Sequence, residues 1–105
     1  MNAQRKAGRA VRSMLLFVAG GEANSVVALM NFRKLCDDTS DCEMRCEVID
    51  VLDNYHKALE HRVLVTPCLV LLEPAPRVMI VGTLKDFARV RAALRLPADA
   101  TLNDD

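Results

Sequence analysis

VLVTPCLVLL, residues 63–72, is the most apolar run in the chain and carries one proline in its middle. Proline cannot donate a ladder hydrogen bond, so Pro67 cannot lie inside a central strand. It can occupy the entry to a strand, because the residue before it is restricted to extended geometry. The stretch therefore predicts a buried strand over residues 68–72 that begins directly after Pro67. This X–Pro junction is also a candidate for a cis peptide bond.

Composition limits the classes of protein that the chain can represent. It has 105 residues, of which 51% are hydrophobic, enough for one domain with one core. Lys plus Arg and Asp plus Glu number 14 each, so the formal net charge is zero and no nucleic-acid partner is expected. No apolar run approaches the ~18 residues of a membrane span, and we expect no membrane partner.

Both ends of the chain differ from its middle. Residues 1–12 contain four basic residues and no acidic ones, which predicts a flexible basic arm, and residues 98–105 read as a polar tail. The arm and the apolar run after it resemble the start of a signal peptide, but no convincing cleavage pattern follows. We therefore expect a cytoplasmic domain over residues 13–97 whose four cysteines are reduced thiols.

Apolar periodicity on either side of Pro67 predicts the remaining elements. Strands are expected over 13–18, 45–51, 68–72 and 77–81, and helices from Asn24 or Ser25 to Leu35, over 55–62 and over 84–96. The order βαβαββα starts with a right-handed parallel βαβ unit. It predicts an α/β, thioredoxin-like fold: a mixed four-stranded sheet with helices on both faces.

Several core assignments follow from the same patterns. We expect the first helix to bury its large apolar residues and the second helix to bury Leu59. The strand over 77–81 is expected to be mostly covered, and Gly82 to end it. The candidate core residues of the first helix are Val26, Val27, Met30 and Phe32.

The chain lacks the cysteine pair that serves as the nucleophile in thioredoxin-type redox chemistry. Such an enzyme carries Cys-x-x-Cys at the start of its first helix, where the helix dipole lowers a thiol pKa. This chain reads Glu22-Ala23-Asn24-Ser25 there. Cys46 and Cys68 are interpreted as buried inert thiols, and Cys36 and Cys42 lack an activating basic neighbour. The alternative is a single-cysteine thiol redox protein that uses Cys68 beside Pro67, or Cys36.

The sequence carries no complete metal-binding or cofactor-binding motif. Cys42-x3-Cys46 with His56-x4-His61 superficially matches a zinc spacing, but the interval between the pairs is shorter than the usual ~12 residues. Gly20-Gly21 lacks the rest of a phosphate-binding motif and is interpreted as a turn. We expect no metal, no cofactor and no catalytic residue.

Several short motifs resemble one known family when they are read in order. They are LFVAG at 16–20, NSV at 24–26, VIDVL at 48–52, TP at 66–67, PAP at 74–76 and VGTL at 81–84. This pattern over residues 13–96 resembles the KaiB family of circadian-clock proteins, including the sensor domains of related histidine kinases.

The resemblance implies a non-enzymatic binding protein in circadian or stress signalling. KaiB proteins are thioredoxin-like only in the binding-competent state, which docks the ATPase KaiC, and their resting state is a differently folded tetramer. It therefore implies a KaiC-type ATPase as partner and a histidine kinase as a possible second one. It implies a monomer or dimer in the thioredoxin-like state. A dimerising domain without a KaiC-type partner is a third interpretation.

Departures from the family pattern bear on which of the two folded states this chain adopts. Ala93-Leu94-Arg95 stands where the clock form typically reads Gly-Leu-Asp. Ala favours helix over Gly by about 0.8–1.0 kcal/mol, and Arg near a helix C-terminus adds about 0.3–1 kcal/mol. We therefore expect the thioredoxin-like state to be favoured over the tetrameric resting fold.

The partner-contact candidates lie at two helices. They are Lys57 and Arg62 at the second helix and Glu22 and Asn24 at the start of the first. Glu22-Ala23 replaces a frequent Thr-Pro of the family and Val27 a frequent basic residue, so the partner contact is expected to differ in detail. Four residues are expected to be structural: Pro67, Gly82, Ala93 and Arg95.

Overall fold

A single mixed β-sheet with helices on both faces organises the computed structural model, which describes residues 10–37 and 42–96. The elements are β1 (Ala10–Val18), α1 (Ala23–Asp37), β2 (Cys42–Asp50), α2 (Tyr55–Glu60), β3 (Cys68–Glu73), β4 (Val78–Val81) and α3 (Phe87–Ala93). The strand order is β2-β1-β3-β4. β1 and β2 are parallel, whereas β3 is antiparallel to both β1 and β4. The predicted element order and fold class are confirmed.

β1 is the central element because it pairs on both edges and is covered on both faces. Met14 through Val18 are all buried, which confirms the prediction from their unbroken apolar run. Met14, Leu16 and Val18 face a core that includes residues of α1 and α3. Leu15 and Phe17 face the other core, which is closed by Ala58 of α2. The period of two along a strand thus builds two cores from one stretch.

α1 buries a different face from the one predicted. Phe32 is buried as expected, but Val26, Val27 and Met30 are exposed at 44%, 42% and 66%. The buried residues are Ser25, Ala28, Phe32 and Leu35, which recur at helical spacing. The Ser25 hydroxyl accepts a hydrogen bond of 2.9 Å from the backbone N–H of Ala19. A polar residue therefore lies on the buried face of the helix. A prediction that relies on apolar residues alone assigns the buried face incorrectly.

α2 and β4 are also less covered than predicted. α2 buries Ala58, while Leu59, the predicted anchor, is 62% exposed. β4 begins at Val78 and is the last strand of the sheet, and Met79 and Val81 are exposed at 40% and 59%. Both errors have one cause, since a six-residue helix covers only part of its sheet face.

The ends of the domain also differ from the prediction. β1 begins at Ala10, so Arg12 belongs to the sheet and not to the predicted arm over 1–12. Residues 1–9 of that arm and the predicted tail over 98–105 lie outside the described residues. α3 is shorter than the predicted helix over 84–96, because Asp86 forms its N-cap and accepts a hydrogen bond of 3.2 Å from Arg89 N–H. No helix in the described ranges is long and apolar enough to cross a bilayer.

Two arginines hold the end of α3 against the sheet and a neighbouring turn. The Arg12 guanidinium donates to the carbonyl oxygens of Leu94 at 2.7 Å and of Arg95 at 2.8 Å. The Arg95 guanidinium in turn donates to the carbonyl oxygens of Pro74 at 2.9 Å and of Pro76 at 3.4 Å. Arg95 lies beyond the end of α3 with a φ of 61°. It was expected to act at the C-terminus of the helix, but its guanidinium contacts the Pro74–Pro76 turn instead. We call Arg12 and Arg95 the arginine pair.

Replacing Arg12 by alanine tests whether β1 stabilises α3. Arg12→Ala removes two charge-assisted hydrogen bonds to carbonyl groups at the end of the helix, where a cation is favourable. We expect the free energy of unfolding in urea to fall by about 1–2 kcal/mol, since such bonds are worth about 1.5–3 kcal/mol when fully shielded. Arg45→Ala is the matched control, because the exposed Arg45–Glu43 ion pair is worth about 0–1 kcal/mol. An equal loss in both variants would contradict the role given to Arg12.

Candidate partner-binding site

The carboxyl ends of β1 and β2 lie at the same edge of the sheet and carry the turns that lead into α1 and α2. Asp50 connects these turns, because its Oδ1 accepts hydrogen bonds from Gly20 N–H at 3.1 Å and Leu52 N–H at 3.0 Å. Gly20 has a φ of +53°, and a Cβ there would lie 3.0 Å from Leu52 Cδ1. Glycine is therefore required for this approach of the two turns.

Glu22 caps α1 with its own carboxylate. Its two carboxylate oxygens accept hydrogen bonds from Asn24 N–H at 3.2 Å and Ser25 N–H at 3.0 Å. These backbone hydrogen bonds favour the ionised form and lower the pKa of Glu22 below its ordinary value of 4.5. Two predicted contact residues, Glu22 and Asn24, are thus joined at the start of the helix and are both exposed.

Pro67 and Gly82 contact each other at the start of β3 and the end of β4. Thr66–Pro67 is a cis peptide bond and Cys68 is the first residue of β3, so the predicted strand entry and cis junction are both confirmed. The Pro67 carbonyl accepts a hydrogen bond of 3.0 Å from Gly82 N–H. Two further cis bonds that the sequence did not indicate precede Pro74 and Pro76.

The cysteines are not arranged as predicted. Cys68 is buried as expected, its solvent-exposed fraction is 1%, and burial raises the pKa of its thiol. A buried thiol of raised pKa is a poor nucleophile, which argues against the single-cysteine redox interpretation based on Cys68. Cys36 and Cys46, expected to be reduced, form a disulfide with a Cα–Cα distance of 6.8 Å. Cys46 is exposed, not buried, because it lies on the edge strand β2.

The structure does not support a metal site in the described ranges of the chain. No group of three His, Cys, Asp or Glu residues within them is placed to hold a metal ion. Cys46, one member of the zinc-like spacing, is bonded to Cys36, and the Cys42 side chain lies outside the described part of the chain.

Lys57 lies on α2 and Arg62 two residues after its end, and α2 is on the opposite face of the sheet from α1. The Lys57 Nζ is 3.7 Å from Glu47 Oε2 on β2, and both side chains remain about half exposed. Arg62 follows α2 with a φ of 61°, and its backbone N–H donates to the Leu59 carbonyl at 3.0 Å. The four predicted contact residues therefore form two pairs, one on α1 and one on α2.

Apolar residues around α2 form an exposed surface that the sequence interpretation missed. Leu52, Tyr55, Leu59, Leu64 and Val65 are exposed at 72%, 59%, 62%, 88% and 56%. Together with Lys57 and Arg62 they make up what we call the α2 surface. Grouped apolar residues that stay in water mark interaction sites in soluble proteins. The only signal in the sequence was that α2 and its flanks carry more apolar residues than so short a helix can bury.

Replacing Glu22 by glutamine tests its capping role through pH. A carboxylate whose pKa is lowered by folding stabilises the protein above its unfolded pKa, and this contribution is lost as pH falls through the folded value. We expect Glu22→Gln to lower the melting temperature near neutral pH, and the difference from wild type to shrink as pH falls below 4.5 and to vanish once the carboxylate is protonated in the folded state as well. Glu73→Gln, at the exposed end of β3, is the control and should not change the pH profile in this way. A difference that persists at low pH would contradict the carboxylate's role.

Comparison with solved structures supports the fold. The N-terminal domain of SasA from Synechococcus elongatus matches with a TM-score of 0.65 and 21% identity, and the match covers 100% of this chain and 95% of that domain. Malassezia sympodialis thioredoxin matches with a TM-score of 0.66 and 18% identity over 88% of this chain and 81% of its own. At these identities the structures establish the thioredoxin-like fold alone.

Comparison of sequences identifies the family. The KaiB domain profile matches residues 15–96. The circadian clock oscillator protein KaiB of Synechococcus sp. strain CC9311 is 37% identical over 90 residues, which are 86% of this chain and 76% of that protein. KaiB of Nostoc sp. strain PCC 7120 is 36% identical over 90 residues, 86% of this chain and 83% of that protein. The family-model match over most of the chain and these two relatives show that the chain belongs to the KaiB family of circadian clock proteins.

Proposed function

We propose that this KaiB-family protein is a non-enzymatic regulatory protein that docks a KaiC-type ATPase and modulates circadian or stress signalling. The observation that carries the proposal is the α2 surface, which combines five exposed apolar residues with two exposed cations within residues 52–65. Apolar area supplies binding free energy, and the cations supply orientation and partner choice. A histidine kinase is the proposed second partner, and the proposed location is the cytoplasm.

Two features of the thiols favour a binding role over disulfide exchange at the thioredoxin-type position. The start of α1 carries Glu22-Ala23-Asn24-Ser25 and has no sulfur to act as nucleophile. Cys68 is sealed in the core between β1 and α2, where its Sγ contacts the Leu69 carbonyl at 3.9 Å. A scaffold used elsewhere for thiol chemistry is thus available here as a docking surface.

The geometry of Lys57 is compatible with a change of partner on docking. Its ion pair with Glu47 is long at 3.7 Å, and an exposed pair of this kind contributes about 0–1 kcal/mol. An acidic residue of the ATPase can therefore replace Glu47 at little cost. Arg62 presents a second cation just beyond the end of α2.

Charge reversal and an apolar-to-acidic change on the α2 surface test the docking proposal. We expect Lys57→Glu, Arg62→Glu and Leu59→Asp each to weaken binding to the KaiC-type ATPase of the same organism by tenfold or more, about 1.4 kcal/mol. The measurement is fluorescence anisotropy with ATP and with ADP, supported by size-exclusion chromatography. All three residues are exposed, so the fold should persist, as circular dichroism would verify.

Lys85→Glu is the matched control, since Lys85 is exposed next to the α3 cap, away from α2. It should leave the affinity unchanged. A wild-type protein that forms no complex with either nucleotide would overturn the docking function. A complex that Lys85→Glu weakens as much as the α2 variants would instead overturn the choice of surface.

We also propose that this chain favours the thioredoxin-like state over the tetrameric resting fold. The proposal rests on the last residues of α3. Ala93→Gly lowers helix propensity by about 0.8–1.0 kcal/mol, and Arg95→Asp removes the hydrogen bonds to the Pro74 and Pro76 carbonyls. We expect the double variant to raise the population of states that lack α3 by about tenfold or more, read from NMR amide resonances. Arg95→Gly is the control, because it relieves the positive φ and isolates the lost guanidinium contacts. Finding the alternative fold as the major wild-type species would defeat the proposal.

A further inference from the structure

The Cys36–Cys46 disulfide lies apart from the α2 surface. It joins the last turn of α1 to β2 and closes a loop with a sequence separation of 10. Cys46 pairs in register with Met14, whose side chain faces the core that includes α1 residues. The disulfide is therefore on the α1 side of the sheet, while α2 and the proposed docking residues are on the other side.

Both sulfur residues border a surface groove of about 390 Å³, whose lining is completed by Phe32, Arg33, Asp37 and Val48. Cys46, Arg33 and Asp37 are exposed and Cys36 is half-buried. A thiol of low molecular weight can therefore reach the disulfide without any opening of the fold. Structural disulfides are commonly shielded, whereas accessible ones are the labile and regulatory class.

Arg33 supplies a positive charge at this groove. It lies three positions before Cys36 on the same helix, which places the two residues on one face and corrects the expectation that Cys36 has no activating basic neighbour. Cys36 is at the C-terminal end of α1, where the helix dipole disfavours a thiolate. The guanidinium offsets that effect and also attracts an anionic thiol, while the Asp37 carboxylate opposes both. Arg33 is thus the residue in the groove that favours exchange.

The core does not depend on this bond to hold α1 in place. Ala28, Phe32 and Leu35 are buried at 0%, 1% and 0% exposure and pack against the sheet. β2 is held independently by its parallel pairing with β1 from Ala10–Cys42 to Val18–Asp50. The oxidised and reduced chains can therefore share one fold, and only the tie between the last turn of α1 and the edge strand differs.

We propose that Cys36 and Cys46 are a reversible thiol–disulfide exchange site for a low-molecular-weight thiol, and that reduction releases the last turn of α1 from β2. The thiolate attacks the exposed Cys46 Sγ and forms a mixed disulfide. The Cys36–Cys46 bond breaks, and its electron pair leaves on Cys36 Sγ, which takes a proton from solvent.

A second thiolate then attacks the sulfur of the bound small molecule. The small-molecule disulfide leaves, and Cys46 takes the released electron pair and a proton. Overall the protein gains two electrons and two protons, and two small thiols become one disulfide. The same small-molecule disulfide reoxidises the pair by the reverse steps.

Exchange is measured on the full chain in glutathione buffers of graded ratio, with acid quench, alkylation and peptide mass spectrometry. We expect the Cys36–Cys46 disulfide to form and to disappear reversibly as the ratio changes, and Cys42→Ser to behave as wild type. Cys36→Ser should accumulate glutathione on Cys46. Arg33→Gln should slow reduction by about two- to fivefold, the effect of one solvent-screened charge. Lys34→Gln, whose amine lies over the Phe87 ring instead, should not.

Hydrogen exchange tests the structural half of the proposal. On reduction, amides in the last turn of α1 and around Cys46 should lose protection, whereas those of β3 should not change. A disulfide that forms with Cys42 instead, resistance to excess glutathione in the folded state, or equal protection in both redox forms would each overturn the proposal. None of these outcomes depends on whether the α2 surface binds an ATPase.

Discussion

The pairing of β1 on both edges is the constraint on which the rest of the structure depends. Residues 14–18 are apolar at every position, so neither face of this strand can remain in water, and both must be covered. The parallel neighbour β2 requires a crossover, which α1 provides on one face. The antiparallel neighbour β3 is reached through α2, whose Ala58 closes the other face. One short run of sequence thus dictates where two helices and two strands must lie.

The C-terminal third of the domain depends on β1 in a different way. α3 runs only from Phe87 to Ala93, and an isolated helix of that length is not stable in water. Its stability must come from tertiary contacts, namely the burial of Val90 and Leu94 and the hydrogen bonds from Arg12 to its terminal carbonyls. A strand near the start of the chain therefore helps to decide whether its end is helical. The helical state of this C-terminal segment is therefore set by contacts with β1 and not by its own sequence alone.

Prediction from sequence succeeded where one local rule had no competitor. Pro67 is excluded from a strand interior, which left the strand entry, and the unbroken apolar run over 14–18 favoured a strand buried on both faces. It failed where burial depended on how much of the sheet a helix covers and not on whether a residue is apolar. Leu59 looked like a core residue because it is apolar, but α2 has only six residues and turns Ala58 to the sheet. Ser25 was not predicted to be buried, because it is polar. Its burial depends on the hydrogen bond that its hydroxyl accepts from Ala19 N–H, which a hydropathy pattern does not show.

The candidate site was predicted in part for the same reasons. Lys57 and Arg62 were predicted as contact residues, whereas the exposed Leu64 and Val65 precede the predicted strand over 68–72 and no pattern marked them as surface contacts. The Cys36–Cys46 bond could not be predicted, because it depends on the register of β2 against β1 and on how far α1 extends. Neither quantity is set by local sequence.

β2 lies between the two proposed sites, the α2 surface and the Cys36–Cys46 disulfide, and its geometry places them on opposite faces of the sheet. Successive side chains of a strand point to opposite faces, so Cys46 lies on the α1 side and Glu47, the partner of Lys57, on the α2 side. Within β2, the disulfide and the Lys57 ion pair are linked only through the backbone of adjacent residues. That backbone is fixed by its ladder with β1 along its whole length, which resists displacement toward either face. The two sites therefore act on a shared element without sharing side chains, and a redox change on one face need not alter the docking residues on the other.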